Sequence, residues 1–336
     1  MDGQARRPQR QRGPHPLPVF LATVQAVCGD DRARLAQVLA GLARYQAAPV
    51  PLPRDPWPVV AQVGGVTLRA GAATGRPLVL VPSLINAPDV LDLAPGQSLA
   101  AHLAGAGFRP LLVDWGLRPE PLGLAALVEQ RLVPLIRALG AAVPMLGYCL
   151  GGALALAAAR AGVASRLALL AAPWRFEGYG SGGRGALASW WQQARPMAEP
   201  LGLVPMDLLQ PAFWALDPDG LAAKYARLAD ADAATLTGFA RVEDWANGGA
   251  PISLAAAADL AGLFDSGATG IGGQALPAIP ILDAVAMADR IVPAAAALTD
   301  PGDPRRLEIM GGHVGMVVGS RARERLWEPL AAWLAD

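Results

Sequence analysis

Apolar runs of strand length alternate with longer Ala- and Leu-rich segments through much of the chain. Because nearly every position of these runs is apolar, they indicate strands buried on both faces, as in a parallel sheet. The segments between them have high helix propensity. The predicted strands are Leu78–Pro82, Arg109–Trp115, Val143–Leu146, Leu167–Ala172, Ile279–Met287 and Arg305–Met310, and the predicted helices include Ser98–Gly107, Leu122–Leu139 and Ser320–Leu334. The pattern predicts an α/β protein with a mostly parallel sheet and helices on both faces, preceded by a hairpin over Val59–Ala70.

The N-terminal part of the chain has a different character from the α/β pattern. Residues 1–16 are rich in Arg, Gln and Pro, which predicts a disordered basic tail. Residues 17–58 predict N-terminal helices and a Pro-rich linker, with Asp30 or Asp31 capping a helix. The main α/β domain is then expected over residues 59–336.

An insertion interrupts the strand and helix rhythm at about residues 178–273. Its mostly helical pattern predicts a lid over the strand ends, and the glycine-rich runs Gly178–Gly185 and Gly267–Gly273 suggest hinges at its two ends. It holds Trp190, Trp191, Trp214 and Trp245. These side chains either pack the insertion onto the domain or line an apolar substrate channel, and the sequence leaves both roles open.

Composition and charge exclude several classes of protein. The chain has 28 basic and 28 acidic residues, which argues against a nucleic-acid partner, and its 53% apolar content supports a large core. The two cysteines, Cys28 and Cys149, form no disulfide or metal pattern, so we expect neither a metal nor a resident cofactor. Arg160 and Arg166 interrupt the longest apolar region, which argues against a transmembrane segment. Arg6-Arg7 precedes an apolar stretch that lacks a cleavage site, so we expect a cytoplasmic protein.

The pentapeptide Gly147-Tyr148-Cys149-Leu150-Gly151 follows a predicted strand and precedes a predicted helix. Strand, G-x-C-x-G and helix is the arrangement of a nucleophile elbow with cysteine in the place of serine. Cys149 would then lie at a helix N-terminus, where the helix dipole favours a thiolate. The alternative is a turn of small residues around an inert, buried cysteine.

Two further residues follow predicted strands in an order that suits the same chemistry. Asp289 and His313 come after Cys149, which is the order nucleophile, acid and histidine of the α/β hydrolases. The histidine would accept the cysteine proton and the aspartate would orient the imidazole. Asp283 is a rival acid, although its position within a strand predicts a packing role.

The other two histidines are weaker candidates for the catalytic base. His102 has apolar neighbours in a predicted helix, which indicates packing, and His15 lies in the predicted tail. An oxyanion hole also requires two backbone N–H groups. We expect one from Leu150 and the other from Ser83, Leu84 or Ile85, of which Leu84 is preferred.

Several motifs of this chain are similar to those of one family, the polyhydroxyalkanoate synthases and their short α/β-hydrolase relatives. The similar segments are V-P-S-L-I-N-A-P-D-V-L-D-L at 81–93, Ser98 in the following helix, V-D-W-G at 113–116, G-Y-C-L-G-G at 147–152, V-E-D-W-A-N at 242–247 in the predicted lid, A-D-R-I-V-P at 288–293 and G-G-H-V-G at 311–315. The N-terminal part matches the family poorly.

The resemblance implies a reaction and a role for each candidate residue. Cys149 would be acylated by a 3-hydroxyacyl-coenzyme A thioester, with His313 as its base. Asp289 would act with His313 or activate the incoming hydroxyl group. The partners would be the acyl-coenzyme A or ester substrate and the polyhydroxyalkanoate polymer, with a homodimer as a candidate assembly. Two other functions stay open: a cysteine hydrolase of esters or thioesters, including a polymer-degrading one, and a non-catalytic binding protein on this fold.

Overall fold

The structure is a computed structural model, and it describes residues 12–49, 54–266, 271 and 275–336. The described residues form two compact units. The first contains the described part of residues 1–53 together with 217–247, and the second contains 54–216 and 248–336. The first unit is therefore built from two separate stretches of the chain.

The strands and helices of the described residues are numbered in chain order. The strands are β1 (Val59–Val63), β2 (Val66–Ala70), β3 (Arg76–Val81), β4 (Phe108–Asp114), β5 (Val143–Tyr148), β6 (Ala164–Leu170), β7 (Leu203–Val204), β8 (Ile252–Ser253), β9 (Ile281–Ala286) and β10 (Arg306–Ile309). The helices are α1 (Leu17–Cys28), α2 (Arg32–Ala47), α3 (Leu99–Gly105), α4 (Leu124–Leu127), α5 (Val133–Arg137), α6 (Leu150–Ala158), α7 (Gly180–Ala198), α8 (Met206–Leu216), α9 (Pro218–Ala226), α10 (Ala233–Asn247), α11 (Leu254–Ser266), α12 (Gly315–Val318) and α13 (Glu328–Ala335).

Eight strands of the second unit form one sheet in the order β1-β2-β4-β3-β5-β6-β9-β10. The pairs β1–β2 and β2–β4 are antiparallel, and all the others are parallel. The inner strands are apolar because both of their faces are covered, and β9 is buried at every position. This strand order, with helices following the parallel strands, confirms the predicted α/β-hydrolase fold.

Two predicted helices contain π-helical turns. The helix predicted over Leu122–Leu139 is α4 and α5 joined by a π-helical turn, Val128–Leu132. The closing helix predicted over Ser320–Leu334 is a π-helical turn, Arg323–Trp327, that leads directly into α13. The Ser98 side chain accepts a hydrogen bond from the Ala101 amide at 2.8 Å and so caps α3.

The insertion predicted over residues 178–273 is divided between the two units. Helices α7, α8 and α11 belong to the second unit, whereas α9 and α10 belong to the first. The interpretation of Gly178–Gly185 as a flexible hinge is wrong, because α7 begins at Gly180. Arg184 in this run donates hydrogen bonds to the backbone carbonyls of Phe264 and Asp265, which fixes α7 against the end of α11. Of the second glycine run only Ile271 lies within the described residues.

The first unit has an aromatic core of its own. Helices α1 and α2 pack against α9, and Asp31 caps α2 by accepting the Arg34 amide at 2.9 Å. The Tyr225 ring centroid lies 4.7 Å from that of Phe20 and 5.3 Å from that of Phe239. Aromatic pairs at these distances add to the stabilisation from burial alone.

Charged side chains of α10 bind residues of both stretches of this unit. Arg12, whose side chain is only 7% exposed, forms an ion pair with Asp244, which also accepts the Tyr45 hydroxyl at 2.9 Å. Glu243 accepts hydrogen bonds from Lys224 at 2.5 Å and from the Tyr225 hydroxyl at 2.8 Å. These carboxylates belong to the V-E-D-W-A-N motif.

Two expectations from the sequence change with these contacts. Residues 12–16 are ordered by the Arg12 ion pair, so the prediction of a disordered tail is wrong there, and residues 1–11 lie outside the described part of the chain. The V-E-D-W-A-N motif at 242–247, expected in a lid, lies in the first unit because its carboxylates pair with that unit. Within the described residues, no helix is both long enough and apolar enough to cross a membrane.

Candidate active site

Cys149 lies in the sharp turn between β5 and α6. Its φ of 55° and ψ of −133° are unusual for a residue with a side chain, and strain of this kind is concentrated at functional sites. The backbone is held there, since the Cys149 amide donates to the Leu170 carbonyl at 2.9 Å and its own carbonyl accepts from Gly152 at 2.8 Å. The thiol side chain remains partly exposed. This geometry is that of a nucleophile elbow.

The glycines on either side of Cys149 are required by close packing. A Cβ atom on Gly147 would collide with the backbone of Gly152, and one on Gly151 would collide with the carbonyl oxygens of Val81 and Pro82. The start of α6 therefore lies directly against the end of β3 and the loop that follows it. Larger residues at these two positions would push the strand and the helix apart.

His313 and Asp289 meet beyond the ends of β10 and β9. The Nδ1 atom of His313 lies 2.6 Å from Oδ2 of Asp289, and both side chains are buried. The other oxygen of Asp289 accepts the amides of Ile291 at 2.7 Å and Val292 at 2.9 Å. The carboxylate is thus held on both sides and fixes the orientation of the imidazole.

The electrostatic surroundings of His313 favour its protonated form. Burial lowers the pKa of the imidazole, but the negative charge of Cys149, hydrogen bonds with Asp289 and Cys149, and the charge of Asp289 raise it to about 10 from an ordinary 6.5. Cys149 and Asp289 therefore both act on the same ring. Of the three predicted residues, His313 and Asp289 are in direct contact, and the charge of Cys149 acts on the same imidazole.

The other candidates from the sequence have different partners. Asp283 is fully buried in β9 and accepts the Thr299 amide at 2.9 Å and its hydroxyl at 2.8 Å, and burial raises the pKa of this carboxyl. The His102 ring lies 5.6 Å from the Trp327 ring, in agreement with a packing role. His15 lies in the first unit, where its amide donates to Asn247 at 3.4 Å.

The backbone amides of Leu150 and Leu84 stay the expected donors of an oxyanion hole. Leu150 is the first residue of α6, so its N–H has no acceptor one turn earlier in that helix. In the loop after β3, the Ile85 amide is engaged by the Ser83 hydroxyl at 3.3 Å, which leaves Leu84 as a better donor than Ile85. Leu84 also lines a small cavity of about 30 Å³ together with Trp115.

Two tyrosines near the candidate triad were not identified from the sequence. Tyr148 is fully buried, and its hydroxyl donates to the backbone carbonyl of His313 at 3.3 Å. The charges of Cys149 and Asp289 also act on Tyr179, whose pKa is raised chiefly by burial. In the sequence Tyr148 occupies only a variable position of G-x-C-x-G, so no local signal marks it.

No group of three or more His, Cys, Asp or Glu residues in the described part of the chain could hold a metal ion. A thiol, an imidazole and a carboxylate in the arrangement described above are suited to acyl transfer through a covalent intermediate.

Comparison with known proteins supports the motif resemblance. The poly(3-hydroxyalkanoate) polymerase subunit PhaC of Haloferax mediterranei is 26% identical over 77% of this chain and 58% of that protein. The proteins of the same name from Haloarcula marismortui and Allochromatium vinosum are 25% and 26% identical, over 82% and 77% of this chain. The resemblance to the polyhydroxyalkanoate synthases is confirmed.

The extent of the match differs between these polyhydroxyalkanoate synthase relatives. This chain spans 58% and 64% of the lengths of the Haloferax and Haloarcula proteins, but 81% of the Allochromatium protein. No protein-family model matches the chain.

Solved structures of other enzymes are more distant. The monoacylglycerol lipase of Paleococcus ferrophilus has a TM-score of 0.47 and 16% identity over 80% of this chain and 98% of that one. The esterase of Exiguobacterium antarcticum has a TM-score of 0.43 and 15% identity over 83% of this chain and 100% of that one. Similarities of this size say nothing about the reaction of the present protein.

Proposed function

We propose that this protein is an acyltransferase of the polyhydroxyalkanoate synthase type, which forms a Cys149-bound acyl-enzyme from a 3-hydroxyacyl-coenzyme A thioester. The observation that carries the proposal is that Cys149 lies at a strained elbow and that its charge acts on His313, which is paired with Asp289. The similarity to curated polymerase subunits, over more than three quarters of this chain, supports the choice of substrate.

In the acylation step, the Cys149 thiolate attacks the thioester carbonyl carbon and a new thioester to the enzyme forms. The coenzyme A sulfur leaves and takes the proton of the His313 imidazolium, so charge and protons balance. The amides of Leu150 and Leu84 are the proposed donors to the oxyanion that forms transiently. A protonated His313 suits this step, since its pKa is raised to about 10.

In the transfer step, His313 must instead accept a proton from the attacking hydroxyl group. Acylation of Cys149 removes one of the negative charges that raise the pKa of the imidazole. The pKa of His313 therefore falls once the intermediate has formed, and the ring becomes a better base at neutral pH. Asp289 continues to orient it. The hydroxyl oxygen of a second hydroxyacyl group bonds to the acyl carbon, the bond from that carbon to the Cys149 sulfur breaks, and Cys149 leaves as the thiolate.

A cysteine hydrolase would use the same side chains, with water in place of the hydroxyl group. Coenzyme A thioesters and the polymer are the proposed small-molecule and macromolecular partners. The absence of a resident cofactor, a cytoplasmic location and a homodimer stay predictions from the sequence.

The decisive experiment is product analysis with 3-hydroxybutyryl-coenzyme A. Released coenzyme A, free 3-hydroxybutyrate and chain-extended ester are measured together, and the acyl group on the Cys149 peptide is sought by mass spectrometry. Cys149→Ala should abolish both the adduct and the turnover. Cys28→Ala is the matched control, because Cys28 is the other cysteine and is buried in α1.

The product decides between the two enzymatic functions. Chain-extended ester supports the synthase proposal. Free acid alone would reject it in favour of a hydrolase, and no adduct with no turnover would favour a binding protein.

A further inference from the structure

The residue that precedes the candidate nucleophile also contacts the candidate base. Tyr148 ends β5 and is 1% exposed, and its hydroxyl donates to the backbone carbonyl oxygen of His313 at 3.3 Å. The Tyr148 and His313 rings are tilted by 36°, with their centroids 5.1 Å apart. One side chain therefore joins the strand that leads to Cys149 and the loop that carries His313.

This contact differs from ordinary core packing in its electrostatics. The pKa of Tyr148 is raised chiefly by burial, and then by the negative charges of Cys149 and Asp289. The phenol consequently stays protonated and remains a hydrogen-bond donor. It approaches the backbone of His313, so it leaves the imidazole nitrogens available to Asp289 and Cys149.

We propose that Tyr148 is a positioning residue that sets the separation between Cys149 and His313. The inference rests on the proposed function, which gives that separation its importance. The Tyr148 hydroxyl fixes the histidine loop relative to β5, and the peptide bond to Cys149 fixes the nucleophile to the same residue. Loss of the hydroxyl leaves the buried His313 carbonyl without this donor, so the loop shifts to regain one.

The test is Tyr148→Phe, which removes one oxygen and keeps the ring. Tyr45→Phe is the matched control, since it also removes a buried hydroxyl with a hydrogen bond, to Asp244 in the first unit. Histidine side-chain NMR is a suitable readout, because the protein has only three histidines. The His313 titration reports its distance from Cys149 and Asp289, whose charges raise its pKa.

We expect Tyr148→Phe to lower the pKa of His313 from about 10 towards its ordinary 6.5. The kcat should fall by about ten-fold or more, since small displacements of reacting groups have effects of this size, while KM changes little. Tyr45→Phe should leave both the His313 titration and kcat as in the wild type. The His102 signal should be the same in all three proteins.

A Tyr148→Phe protein that is folded, with an unchanged His313 titration and unchanged kcat, would overturn the positioning role. If this variant does not fold, Tyr148→Met provides a second replacement, and failure of both to fold would show a structural role instead. The NMR readout does not depend on which product is formed. A hydrolase with a Tyr148-dependent His313 titration would reject the synthase proposal and still support this one.

Discussion

The Nδ1 atom of His313 lies 2.6 Å from Oδ2 of Asp289, although the two residues belong to different loops. Two backbone amides hold the second oxygen of Asp289, so the carboxylate has little freedom to turn away. This relationship favours Asp289, rather than Asp283, as the acid that acts with the histidine.

Asp289→Asn should lower the pKa of His313 and reduce turnover by about 10²–10⁴-fold in a folded protein, the usual effect of disabling a positioned base. The amide cannot carry the charge that favours the imidazolium. Steady-state kinetics measures the turnover, and circular dichroism shows whether the variant is folded. Asp283→Asn is the matched control, and it should reduce stability more than turnover because Asp283 accepts two bonds from Thr299. The reverse pattern would show that the acid is Asp283.

The alkaline limb of the kcat/KM profile should lie near pH 10, because the His313 imidazolium that protonates the leaving group loses its proton there. Asp289→Asn should move this limb to lower pH. Reaction with Cys149→Ala gives the background hydrolysis that must be subtracted. A wild-type limb at the ordinary imidazole value of 6.5 would contradict the raised pKa.

The same shift has a consequence for stability. The folded-state pKa of His313 is above its unfolded value, so its contribution to the free energy of unfolding is complete below pH 6.5 and is lost as the pH rises through 10. Urea unfolding of the wild type and His313→Gln should therefore differ most at the acid end of this range. A difference in the free energy of unfolding between these two proteins that grows with rising pH would contradict this prediction.

Trp115→Phe should disturb the loop that carries Leu84. The Trp115 indole donates to the Pro82 carbonyl at 3.1 Å, and loss of one buried hydrogen bond costs about 1 kcal/mol. Trp327→Phe is the matched control, since that indole donates to the Val317 carbonyl at 2.9 Å. We expect similar losses of stability, but a lower kcat only for Trp115→Phe. Equal kcat values for Trp115→Phe and Trp327→Phe would argue against a role of the Leu84 loop in the oxyanion hole.

Arg12→Ala should destabilise the first unit by about 1–3 kcal/mol, because it leaves a partly buried Asp244 without its cation; the value is reduced for the exposure of Asp244. Arg34→Ala should cost at most about 1 kcal/mol, since the Arg34–Asp219 pair is exposed. Denaturant unfolding followed by tyrosine fluorescence compares the two variants. Equal losses of stability in the two variants would mean that the Arg12–Asp244 ion pair does not stabilise the first unit more than the exposed pair does.

Local patterns were sufficient to select three candidate residues that follow strands of the sheet. Cys149, Asp289 and His313 each follow an apolar run, and parallel strands bring the residues beyond their carboxyl ends to one edge of the sheet. The Tyr148–His313 contact could not be predicted in this way. It depends on the path of a distant loop over the end of β5, and a tyrosine in a buried strand has no distinctive spacing.

The insertion shows a second limit of sequence patterns. Glycine-rich runs indicated hinges. The sequence pattern of a glycine segment is the same, however, whether the segment is free or is held by distant contacts such as those of Arg184. The grouping of α10 with the N-terminal helices likewise depends on the partners of Asp244, which are Arg12 and Tyr45. Neither partner is recognisable from its neighbours in the sequence.

The construction of the first unit from two separate stretches has a consequence for the order of folding. Helices α1 and α2 are synthesised early, but the residues that cover their aromatic side chains, in α9 and α10, follow only after β1 to β6. Contacts so distant in sequence form slowly, and apolar surface exposed in the meantime favours aggregation. The apolar faces of α1 and α2 therefore remain uncovered during synthesis until most strands of the main sheet have been made.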